Sequence, residues 1–76
     1  MEAEYKVSFS WDSEACVWMA TSADVEGLVL ESESLDCLVE RVRHAIPELL
    51  ALDGVSCDNA SLVFGMSRKE RLISVG

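Results

Sequence analysis

The sequence predicts a small α+β domain in which three strands form an antiparallel meander, one helix packs on one face, and a fourth strand follows the helix. Three observations predict it. Residues 5–11 alternate apolar and polar side chains, residues 34–54 carry an apolar stripe at helical spacing, and residues 62–67 alternate again. The order strand, strand, strand, helix, strand runs through residues 1–76 as a single domain, without a repeat, linker or low-complexity tract.

In the first strand Tyr5, Val7, Phe9 and Trp11 share one side, and Lys6, Ser8 and Ser10 the other. That period of two belongs to a half-buried strand. Asp12, Ser13, Glu14 and Ala15 read as a turn, and residues 16–22 as a second strand. A hairpin closed with Trp11 facing Cys16 sets Phe9 opposite Trp18 and Val7 opposite Ala20, giving an aromatic pair on the shared face. Val17 and Met19 are apolar on the other side of the same strand. A strand apolar on both sides is normally covered on both, and one helix covers only one. Val17 and Met19 are therefore expected to meet a second molecule, most simply another copy in a homodimer. Residues 23–27 then make a loop, with Gly27 free to take an angle other residues avoid, and residues 28–31 a short third strand.

The helix is the organising element. Leu35, Leu38, Val39, Val42, Ala45, Ile46, Leu49 and Leu50 form its stripe, and Glu40, Arg41, His44 and Glu48 its polar face. Ser34 can cap the first turn, Asp36 complements the positive end of the dipole, and Gly54 can close the other end in the left-handed conformation. Pro47 has no N–H for the carbonyl of Arg43, so a helix bent there and continued to about Leu52 is expected. Residues 55–60 read as a loop. Leu62, Phe64 and Met66 alternate as the fourth strand, which residues 71–75 extend or pair back upon after a turn at residues 67–70.

Composition narrows the function. The chain has 76 residues and a net charge of −8. A core of this size rarely supplies more than roughly 3–5 kcal/mol, which makes self-association a natural support. Residues 1–40 hold ten acids against Lys6 alone, whereas Arg68, Lys69 and Arg71 oppose only Glu70 near the end. Phosphate backbones bind clustered Lys and Arg, so direct nucleic-acid binding is not expected and a basic protein partner fits better. The cationic tail suits the acidic surface of a neighbouring copy or the guarding of an edge strand. No run of about 20 apolar residues is present and the opening residues lack a secretion-signal pattern, so no membrane role and a cytoplasmic location are expected. Cys16, Cys37 and Cys57 are then expected to stay reduced and to pack as small apolar residues, with Cys37 the most open because it lies on the polar helix face.

No residue set names a reaction. His44 stands on the polar helix face one turn after Glu40, a surface pair rather than a base or ligand. Glu31 with Glu33, and Asp24 with Glu26, lack a surrounding oxygen-ligand loop pattern. Tyr5, Phe9, Trp11 and Trp18 fall on the face given to the helix, which makes them core rather than a stacking platform for RNA. The domain is expected to have no catalytic residues, no metal and no cofactor.

Trp11-Asp12, Val17-Trp18 with Ala20, Ser22 and Asp24, Gly27-Leu28, Glu31, Ser34-Leu35, Leu38 and the run from Ile46 through Pro47, Glu48 and Leu49 to Leu50 occur in that order. In these features the chain resembles a short bacterial branch of unassigned function within the HicB-like antitoxin superfamily, over about residues 5–52. The resemblance implies a meander, helix and fourth strand similar to a trimmed ribonuclease H core. It also implies self-association and an antitoxin role, in which an acidic domain covers a small, basic, RNA-cleaving HicA-like toxin. Larger HicB antitoxins continue into a DNA-binding segment, and this chain ends at Gly76 before one. Ribonuclease H chemistry needs converging carboxylates, and the first strand has none before Asp12. The expectation is a non-catalytic HicB-like antitoxin-type domain binding itself and a HicA-like toxin. The alternatives are a stand-alone homo-oligomer or a residual metal-dependent nuclease.

Overall fold

The computed structural model describes residues 3–56 and 60–73. Strands β1 (Ala3–Asp12), β2 (Val17–Thr21) and β3 (Val29–Ser32) precede helix α1 (Leu35–Leu52), and β4 (Ala60–Ser67) follows it. The four strands form one sheet in the order β3-β2-β1-β4. β1 pairs antiparallel with β2, and β2 with β3, but β4 runs parallel to β1, from Ala3 beside Ala60 to Ser10 beside Ser67. The fold is thus α+β with a mixed sheet, not an antiparallel meander alone. Helix length explains the direction: 18 residues rise about 27 Å, enough to carry the chain back along the sheet so that β4 sets out the same way as β3.

Phe9 pairs with Ala20, Trp11 with Trp18, and Asp12 with Val17, a register two residues away from the one expected. The cause lies in the turn. Asp12 Oδ1 accepts the N–H groups of Glu14 (3.0 Å) and Ala15 (3.2 Å), and Cys16 takes φ +56°, which absorbs it into the turn instead of the strand. An even shift leaves every side chain on its expected face, so the aromatic contact becomes Trp11 with Trp18 in place of Phe9 with Trp18.

Beyond Thr21 a compact loop replaces strand pairing. Ser22 Oγ accepts the N–H groups of Asp24 and Val25 (both 3.1 Å) and donates to the carbonyl of Lys6 (2.5 Å), while Lys6 N–H donates to Asp24 Oδ2 (2.7 Å). These bonds turn Val25 and Leu28 into the core, where both are buried. Gly27 takes φ +85°; a Cβ there would stand 3.7 Å from Leu49 Cδ2, an ordinary contact, so the backbone angle rather than lack of space favours glycine.

The helix begins where expected, with Ser34 Oγ accepting the N–H of Cys37 (3.3 Å). It continues through Pro47 to Leu52. Its end is a Schellman arrangement, in which Gly54 N–H bonds the Ala51 carbonyl (3.0 Å) and Val55 N–H the Leu50 carbonyl (2.8 Å), with Gly54 at φ +73°. Leu38, Val42, Ile46 and Leu50, one per turn, are buried against Val7, Phe9, Ala20, Val25 and Leu28. Tyr5, Trp18, Leu30, Leu62 and Phe64 pack around this cluster, and Phe9 meets Phe64 edge-on at 5.3 Å.

Other expectations meet corrections. Residues 68–73 form no strand, neither extending β4 nor pairing back on it, and residues 74 and 75 of the expected extension lie outside the described residues. Glu40 bonds Arg43 (2.7 Å), not His44. Cys16 and Cys37 are free and exposed, Cys16 because its turn position lies at the tip of the hairpin. Cys57 lies outside the described residues.

Leu38 is fully buried, and Leu38→Ala should lower stability by about 2–5 kcal/mol in denaturant unfolding. Gly27→Ala should lose about 1–2 kcal/mol, with the helix signal in circular dichroism kept at low denaturant.

Candidate functional site

Two surfaces and one cavity stand out. The sheet face turned away from the helix carries Lys6, Ser8 and Ser10 from β1, Val17 and Met19 from β2, Val29 and Glu31 from β3, and Val63, Gly65 and Ser67 from β4. Strand alternation puts them there. Small polar side chains make its centre low, with Val17, Met19, Val29 and Val63 around it. Val17 and Met19, expected to bind a second copy, are half-buried by their own sheet, whereas Val29 is 62% and Val63 42% exposed.

On the helix side, the ends of β1 and β2 present Trp11 and Trp18, edge-to-face with centroids 5.5 Å apart. The guanidinium of Arg68 lies 4.4 Å from the Trp11 ring centroid and 5.9 Å from that of Trp18. It also bonds Glu70 at 2.6 Å. One step past the pair Ser10–Ser67, parallel register brings residue 68 beside residue 11, on the face of Leu62 and Phe64. The strand pattern thus held the signal for this contact, which the parallel direction of β4 was needed to read. After this clamp the tail leaves the body: Leu72 is 95% exposed and Ile73 78%.

At the other end of β4 a cavity of about 200 Å³ opens between the strands and the second half of the helix. Tyr5, Arg43, Ile46, Pro47, Leu50, Ala60 and Leu62 line it. It is mostly apolar, with Arg43 the charged member of its wall.

The residues considered for chemistry are scattered. His44 is exposed on the helix, and Asp24 is engaged with the backbone of Lys6. Among the described residues no three His, Cys, Asp or Glu side chains gather as a metal site. No helix among them is long and apolar enough to cross a membrane.

A family model described as a domain of unknown function, DUF1902, matches residues 4–74. The chain belongs to the DUF1902 family. Among solved structures it is similar to the hypothetical protein TTHA1013 from the extremely thermophilic bacterium Thermus thermophilus. The two are 34% identical with a TM-score of 0.70, over 93% of this chain and 99% of that one. No curated protein matches the chain. The family match takes in β4 and the residues after it, which are thus part of the shared domain.

Arg68→Ala should cost about 0.5–1 kcal/mol through the lost cation–π contact. It should also raise acrylamide quenching of the tryptophans; unchanged quenching would place Arg68 away from the rings in solution.

Proposed function

We propose that this domain is a non-catalytic, HicB-like antitoxin-type protein that binds a small basic HicA-like toxin. The carrying observation is the sheet face that the single helix leaves uncovered. It presents Val17, Met19, Val29 and Val63 around a low polar centre, in a chain of net charge −8. A face of this kind gives a partner apolar contacts, and the acidic surface around it steers a basic protein in while repelling nucleic acid. The element order strand, strand, strand, helix, strand and the resemblance over residues 5–52 support the HicB-like, trimmed ribonuclease H-like reading. The dispersed carboxylates support binding rather than turnover.

The test is to mix the protein with a basic, toxin-sized protein encoded next to it and follow binding by calorimetry. A tight complex is expected, weakened by raising salt from about 0.05 to 0.5 M, over which the screening length falls several-fold. Val17→Asp with Met19→Asp should weaken it by at least about tenfold. No complex at low salt would overturn the reading.

A further inference from the structure

We infer that two copies of this chain pair about a two-fold axis near Ser67, each laying its arm, residues 68–73, antiparallel along the free β4 edge of the other. This pairing uses the β4 edge and the arm rather than the open face proposed for the toxin, shares with that face Val63 alone among the residues named for it, and does not depend on it.

The two edges of the sheet are unlike each other. β3 is four residues long, carries Glu31, and has the Glu31 carbonyl held by Arg41 Nη1 at 2.8 Å from the helix. Short length, a charge and a covering side chain are the usual ways of blunting an edge. β4 has none of these. Its eight residues, ASLVFGMS, contain no charge in a chain that is 26% charged, and among the described residues only β1 pairs with it. Val63 and Met66 stand 42% and 57% exposed along it. An uncharged strand of this length with a free row of backbone donors and acceptors is a template for another strand.

A second copy running antiparallel meets that row with the same stretch of chain, as a two-fold axis requires. It also gives the arm a destination. The arm leaves at the Ser67 end of β4, and the apolar cavity lies at the Ala60 end, about 26 Å away along a strand of this length. To fill its own cavity a chain would have to double back. In the antiparallel pair the arm instead runs directly toward Leu62 and Ala60 of the other copy. With the axis at residue 67, five steps forward and five back set residue 72 opposite residue 62. Opposed residues of an antiparallel pair share a face, so both lie on the helix side of the joined sheet. Leu72, the most exposed large apolar side chain among the described residues, then reaches the cavity between Ile46, Leu50 and Leu62 of its neighbour.

Charge agrees. Up to Ser67 the chain carries thirteen acids against three bases, a balance of −10; residues 68–73 carry three bases against Glu70, a balance of +2. The arm is the cationic, apolar-tipped part of an otherwise acidic molecule, and the chemistry it fits is the body of another copy. Arg68, clamped on Trp11 and Trp18, fixes its root.

The test is sedimentation equilibrium on the full chain and three variants. The unaltered chain should be a dimer. Leu72→Ser with Ile73→Ser, at positions that contribute nothing to their own chain's core, should raise the dimer dissociation constant by about tenfold or more. Val63→Lys with Met66→Lys should give monomer, whereas Val17→Asp with Met19→Asp on the open face should leave the dimer intact. Any of three results would overturn the pairing: a monomeric unaltered chain, an arm variant that dimerises as well as the unaltered chain, or dissociation of the open-face variant alone. Should the β4 variant unfold, the arm variant decides by itself.

Discussion

One amphipathic helix has to cover a four-stranded sheet, and that shortage governs the molecule. Its buried positions, Leu38, Val42, Ile46 and Leu50, make a stripe one side chain wide. They cover Val7, Phe9 and Ala20 in the two central strands, and the loop residues Val25 and Leu28 complete the cluster. Among the described residues that is the whole buried core of an 8.4 kDa chain, close to the size at which burial stops outweighing chain entropy comfortably. What lies outside the stripe's reach stays partly open. Met66 lies beyond it on the helix side, Val17 and Met19 beneath the sheet, and the cavity at Leu62 marks where the second half of the helix stands off from β4.

Local rules were legible where a side chain answers to its neighbours in sequence. Ser34, Asp36 and Gly54 announced both ends of the helix, and alternation in residues 5–11 and 62–67 assigned faces correctly because a period of two does not depend on the partner strand. Register was less legible. It is decided by two bonds to Asp12 Oδ1 and by a left-handed Cys16, a conformation that the identity cysteine does not advertise. The direction of β4 was a matter of topology: periodicity says nothing about parallel or antiparallel, and only the length of the helix carries that information. Val25 looked like a loop residue because its burial comes from the Ser22 and Asp24 hydrogen bonds to β1, which link positions far apart in sequence.

For the site, the residues with familiar chemistry were the least informative. His44 and the paired acids are surface groups spread over different elements, and the thiol of Cys16 stands at a hairpin tip. What distinguishes the molecule is the treatment of its surfaces. One edge is short, charged and bonded to the helix; the other is long and neutral. One face is packed; the other is low and ringed by aliphatic side chains. Such contrasts depend on pairing and burial together, and the doubly apolar character of β2 was the one trace of them that a linear reading could reach. That trace pointed to a second molecule, though Val17 and Met19 proved half-buried and the more exposed apolar groups lie on β3, β4 and the tail.

The parallel seam between β1 and β4 has a consequence for biogenesis. β1 is a central strand, yet one of its two flanks is filled by the strand synthesised last of the four, with more than fifty residues separating the partners. Until β4 emerges from the ribosome, the nascent chain must hold the β1 flank open while the hairpin and helix are already available. Closure therefore waits on the far side of the helix, and termination before β4 would leave a sticky, three-stranded fragment instead of a smaller stable domain.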